Sequence, residues 1–170
     1  MISNHGPEKI SERVAQACGA IAACMGAVVL VCWAVGRGTM TALREHYIPM
    51  APNTALLFAL LGCVLVVYHG RTASRLIRRG VAAVALFSMI LAGATLVDIF
   101  SGHALCVDRL LVRTTEMLGA VPKGHMSAVT ACCFLLTGAA VLLLLRQAVA
   151  ATAILGTIII AVGWINVAGY

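Results

Sequence analysis

Apolar residues run almost unbroken through five stretches of this chain, Val14 to Val35, Ala51 to Tyr68, Gly80 to Phe100, Ser127 to Leu145 and Ala148 to Tyr170. A helix crossing a hydrocarbon core needs about 20 apolar residues, so each stretch is read as a membrane span. The second is the short one. Its apolar run from Thr54 to Tyr68 approaches spanning length only if Pro52 and Asn53 supply the first turn, where Pro fits because its missing N–H is not needed. Between the third and fourth stretches the pattern changes: Val107, Leu110, Leu111, Thr114, Met117 and Leu118 recur at helical spacing, with Asp108, Arg109, Arg113 and Glu116 opposite. That arrangement predicts an amphipathic helix near 107–118 lying at the membrane surface. The expected fold is all-α, a polytopic transmembrane bundle of five spans forming one membrane domain over residues 1–170.

Composition agrees with that reading. Of 170 residues, 62% are hydrophobic and only 11% charged, against roughly 25% charged in an ordinary soluble domain. Residues 1–13 are polar and lead into a run of full spanning length, not the short apolar core of a cleavable signal peptide, so the first helix is expected to stay as an anchor. Six of the seven cysteines fall within the apolar stretches, where a thiol packs as a small apolar group and implies no disulfide framework.

The net charge of +6 is informative through its placement. Arg71, Arg75, Arg78 and Arg79 crowd the link between the second and third stretches, which the positive-inside rule assigns to the cytoplasm. Lys9, Arg13 and Arg146 then fall inside as well, and the N-terminus is predicted to be cytoplasmic. The same arginines are candidates for contact with anionic lipid headgroups, at about 1 kcal/mol per basic residue near such a surface. Nothing in the pattern calls for nucleic acid as a partner; the partners expected are the lipid bilayer and a second copy or another membrane protein.

One phrase occurs twice. Met50-Ala-Pro-Asn-Thr-Ala-Leu-Leu-Phe-Ala-Leu-Leu-Gly62 returns as Met126-Ser-Ala-Val-Thr-Ala-Cys-Cys-Phe-Leu-Leu-Thr-Gly138, with Met, Thr, Ala, Phe, Leu and Gly identical at six matched positions. Joining each copy to the stretch before it defines two units, 14–68 and 80–145, with a fifth helix at 148–170 left over as the first half of a third. Both copies begin helices running the same way, so the repeat is predicted to be parallel, with its axis along the membrane normal. Thr54, Ala55, Phe58, Leu61 and Gly62 follow helical spacing on one face, and small residues there let backbones approach closely where lipid removes the hydrophobic drive. The expected packing face is therefore Thr54, Phe58 and Gly62 with Thr130, Phe134 and Gly138.

The phrase Tyr47-Ile-Pro-Met-Ala-Pro-Asn-Thr-Ala-Leu-Leu-Phe-Ala-Leu-Leu-Gly62, with Asp108-Arg-Leu-Leu111 and Gly124-His-Met-Ser-Ala-Val-Thr-Ala-Cys-Cys-Phe-Leu-Leu-Thr-Gly138, resembles the N-terminal multi-helix membrane domain of bacterial sensor histidine kinases and diguanylate cyclases. In that family a similar Met-Ser-Pro-x-Thr-Ala phrase recurs at the start of returning helices. The resemblance covers about residues 45–145. It implies a bacterial inner-membrane location, dimeric working and a cytoplasmic output module placed after a further span.

Candidate chemistry is sparse. Asp98 is the acid within a predicted span, and intramembrane carboxylates mark functional sites by default, although Asp98 lies close enough to its helix end to be an interfacial acid pairing with Arg109 or Arg37. His103 and Cys106 have a spacing that can hold one ion, but ordinary interfacial residues fit equally. Asp98, Arg109 and His103 together form the possible polar or ligand site. No metal, cofactor or catalytic constellation is expected. The first functional expectation is thus a membrane-embedded sensory or signal-transducing domain, and the second a non-catalytic accessory subunit of a larger respiratory or photosynthetic complex.

Overall fold

A computed structural model describes residues 6–36, 50–68, 74–101, 117–118, 121–122 and 126–168. Its elements are α1 (Gly6–Ala34), α2 (Pro52–Val67), α3 (Arg75–Ser101), β1 (Met117–Leu118), β2 (Val121–Pro122), α4 (Ala128–Leu145) and α5 (Val149–Ala168). Each apolar stretch is a helix; α3 starts at Arg75, five residues before Gly80, and α1 departs furthest from its expected start. It begins eight residues early because Gly6 to Arg13, although polar, contains nothing after Pro7 that interrupts a helix.

Glu12–Ala34, Arg75–Ser101, Ala128–Leu145 and Val149–Asn166 are long and apolar enough to cross a membrane, which makes this a helical membrane protein. With its 16 residues α2 is shorter, about 24 Å at 1.5 Å per residue. The surface helix expected at 107–118 lies outside the described residues except at its last two. Those two are extended, Met117 and Leu118 pairing antiparallel with Pro122 and Val121.

The helices pack in antiparallel neighbours: α1 on α2, α3 on α4, and α5 on α4, with a lighter contact between α2 and α3. In α1 the small residues Gly19 and Gly26 face α2, while Val14, Ile21, Met25, Val28 and Val31 point away from the bundle. In α3 the residues facing inward are Val81, Ala85, Ser88, Ala92 and Thr95, a 4-3-4-3 spacing of mostly small side chains. At one end of the bundle the core joins Ala51, Leu57 and Leu61 to Met126, Ala131 and Phe134. At the other it joins Val64 to Val81, Ala85 and Val141. The starts of α2 and α4 therefore lie together, and so do their ends.

Three polar contacts fix the connections. Trp33 Nε1 donates to Met50 O at 2.9 Å, tying the end of α1 to the approach to α2. Arg78 Nη2 donates to Leu145 O at 2.6 Å, so one arginine of the basic cluster satisfies an orphan carbonyl at the end of α4. The turn from α4 to α5 is only Arg146 to Ala148, and it is closed by Gln147 in the left-handed region at φ 61°. Across that turn Thr152 Oγ1 bonds Ala148 O at 3.0 Å.

Candidate functional site

The two copies of the repeated phrase open their helices at matching positions. Ala51 is the N-cap residue of α2 and Ser127 that of α4, seventy-six positions apart by subtraction. From there the side chains at matched positions do different things.

Gly62 and Gly138 face the preceding helix of their own pair. A Cβ on Gly62 would lie 2.5 Å from Ala23 N and Gly19 O, and one on Gly138 would lie 2.5 Å from Met89 Cγ and 3.0 Å from Ala85 O. Phe58 and Phe134 instead meet each other, edge to face, with centroids 5.3 Å apart and planes at 76°, a favourable aromatic geometry. The face expected to act as one surface is thus divided: glycine closes each helix pair internally, and phenylalanine joins the pairs.

Beside the phenylalanines, between α2, α4 and α5, lies a cleft of about 550 Å3 with Ala22 of α1 at its edge. Its walls are mostly apolar, with Phe58, Leu61, Leu65, Phe134 and Ile159 among them. Five polar side chains reach it: Thr54, Ser127, Thr130, Thr137 and Asn166. Four of these sit where α2 and α4 begin and α5 ends. Leu65 lies eleven residues along α2 from Thr54, so the cleft runs roughly 16 Å from a hydroxyl-bearing end to an apolar one. No charged side chain and no histidine lines it among the described residues.

The hydroxyls differ in what they are bonded to. Ser127 Oγ accepts from Thr130 N at 3.2 Å and lies 2.8 Å from Thr130 Oγ1, so the cap engages both polar groups of that threonine. Thr137 donates back to Cys133 O at 2.7 Å. Asn166 Nδ2 donates to Val162 O at 2.9 Å. Thr54 has only 7% of its surface exposed, its cap position is alanine with no side-chain bond, and its hydroxyl makes no hydrogen bond among the described residues. The carbonyl four residues back, Met50 O, already accepts from Trp33.

The residues singled out for polar chemistry are not brought together. Asp98 is half-buried in the last turn of α3; Arg109, His103, Cys106 and Arg37 lie outside the described residues, as does Arg71. Arg75 and Arg79 are exposed at the start of α3, beside Arg78. Among the described residues no group of three His, Cys, Asp or Glu side chains is placed to hold a metal ion. The cleft itself escaped the sequence because its walls come from three helices, and only the repeated residues Thr54, Phe58, Thr130 and Phe134 among them stood out in advance.

No family model, curated protein or solved structure matches the chain.

Proposed function

We propose that the chain is a membrane-embedded sensory or signal-transducing domain of a bacterial inner membrane, built from a parallel repeat of two helix pairs. In this reading α2 completes a fifth span and the N-terminus is cytoplasmic. The observation that carries it is the contrast between interfaces. Within each pair the closest approach is at glycine, whereas between the pairs, beside the apolar contacts of Leu57, Leu61 and Val64, two aromatic side chains meet at the edge of a cleft. A signal requires an element with two arrangements whose balance a stimulus can bias, and an aromatic contact next to empty space offers one.

The arginines support the orientation. The Arg78 bond to Leu145 brings the start of α3 and the end of α4 to one end of the bundle, where Arg75, Arg79 and Arg146 also lie. Positive charge concentrated at one end favours that end facing the cytoplasm and its anionic lipids.

The test is made on the gene and on output together. A coding sequence continuing past Tyr170 into another span and a kinase or cyclase sequence supports the reading. In that longer protein Phe58→Ala should shift basal output several-fold while leaving membrane insertion normal. Unchanged output with normal insertion counts against the joint as the switch. A stop codon after Tyr170 would favour the accessory-subunit reading, to which α5 also lends support: among the described residues it packs chiefly on α4 and leaves Ile154, Ile158, Ile160, Trp164 and Ile165 facing outward.

A further inference from the structure

Most serine and threonine hydroxyls within the described helices are bonded to their own backbone. Ser88, Thr95, Thr137, Thr152 and Thr157 each donate to a carbonyl three or four residues back, the usual way a helix absorbs such groups in apolar surroundings. Tyr68 Oη is buried without a partner, and Thr54, whose hydroxyl makes no hydrogen bond among the described residues, lines the cleft. A hydroxyl that opens into a largely apolar cleft without a partner in its walls can donate to an acceptor brought in from outside the chain.

The rest of the cleft defines that acceptor's carrier. Its apolar walls extend about 16 Å from Thr54 toward Leu65, which suits an elongated apolar body. Among the described residues its lining carries no cation for an anionic head and no acid for a cationic one, and a charge placed there would be desolvated without a partner. We infer that the cleft binds an uncharged, membrane-soluble amphiphile, its tail beside Phe58 and Phe134 and a carbonyl or ether oxygen at its head accepting a hydrogen bond from Thr54 Oγ1. Neutral glycerolipids and isoprenoid quinones share this chemistry. A molecule in the cleft touches both members of the aromatic pair, and so acts on the joint between the helix pairs. The inference rests on the signalling reading only in this last respect, where it names the class of stimulus.

The experiment is photolabelling of the whole protein in nanodiscs with a monoacylglycerol carrying a diazirine in its chain. Labelling should be saturable, should map to the segments around Phe58 and Phe134, and should be displaced by unlabelled monoacylglycerol or by a decyl-benzoquinone; whichever displaces at lower concentration identifies the source. Thr54→Val keeps the shape and removes the hydroxyl, and should weaken binding roughly 2- to 12-fold, the worth of one neutral hydrogen bond. Gly163 lines the cleft and a Cβ there meets nothing within 4 Å, so Gly163→Phe should fill the space without disturbing the backbone and abolish labelling.

Labelling that survives Gly163→Phe, or displacement by the matching fatty acid as effective as by the monoacylglycerol, overturns the inference. So does efficient oxidative cross-linking of Cys133, which lines the cleft, between two copies, because the cleft would then be covered by protein. Absence of binding leaves the signalling reading standing with another stimulus. Binding without any effect on output in the longer protein overturns that reading and leaves the site.

Discussion

The pair α1–α2 and the pair α3–α4 start their second helices with the same phrase, yet they are closed by different atoms. In the first pair the contact is backbone on backbone: Gly19, Gly26 and Gly62 each leave room for main-chain atoms of the other helix, and a Cβ on Gly26 would lie 2.6 Å from Ala59 N. In the second pair Gly80 and Gly93 meet nothing, and the glycine at the contact, Gly138, is met first by the side chain of Met89, a flexible group able to retreat. At the caps the order reverses. Ser127 completes α4 by engaging Thr130, while Ala51 leaves Thr54 open toward the cleft. One pair is therefore rigid in its backbone and incomplete in its polar bonding, and the other is softer in its backbone and complete. A repeated sequence motif fixes where a helix begins, and its neighbours decide what each of its residues is for.

This contrast is sharpest at the glycines. Gly62→Ala and Gly26→Ala should each destabilise by 3 kcal/mol or more, about the upper range for overpacking, because main-chain atoms of a helix cannot step aside locally. Gly138→Ala should cost about 1 kcal/mol, since Met89 can change rotamer while Ala85 O gives by a few tenths of an ångström. Reversible unfolding in mixed micelles at increasing denaturing detergent measures both. Equal costs would mean that the two pairs are closed alike.

The aromatic pair comes next. Phe134 is 6% exposed and Phe58 40%, so the two partners of one contact are unequally embedded. Phe134→Ala should cost about 3 kcal/mol, the low end for a buried Phe truncation. Phe58→Ala should cost about 1 kcal/mol, little more than the ring–ring contact itself. The same unfolding assay ranks them, and a Phe58 cost as large as that of Phe134 would show the joint to be as tightly packed as either pair.

The smallest effects belong to the caps. Ser127→Ala should lose about 1 kcal/mol, and Ala51→Ser should gain up to about 1 kcal/mol by supplying α2 with the cap it lacks. Ala51→Ser should also engage Thr54 and so weaken labelling in the cleft. A stabilised variant that binds the probe as before would separate Thr54 from ligand recognition.

Much of the fold was legible in the residues. Spans follow from hydropathy because a segment in lipid must satisfy its backbone internally, which leaves the helix as the available form. The boundaries of α2, α4 and α5 fall within two residues of where composition puts them, since Pro52, Ser127 and the Arg146-Gln147 turn are local signals. The stretch around 107–118 is described only at Met117 and Leu118, which pair with Pro122 and Val121 in an extended form that helical spacing of apolar residues does not exclude. The candidate site was legible only in part. Thr54, Phe58, Thr130 and Phe134 were marked by repetition, but Thr137, Gly163 and Asn166 join them through the docking of α5 on α4, to which sequence spacing gives no clue.

The sequence by itself determined that this is a helical membrane protein with one phrase used twice, because apolar length and local start signals act within a single helix. Tertiary structure alone decided that Gly62 and Gly138 close pairs, that Phe58 and Phe134 meet between them, and that the Thr54 hydroxyl opens on the cleft. Such roles depend on which atoms of a second and third helix arrive within a few ångströms, and no residue carries that information about itself.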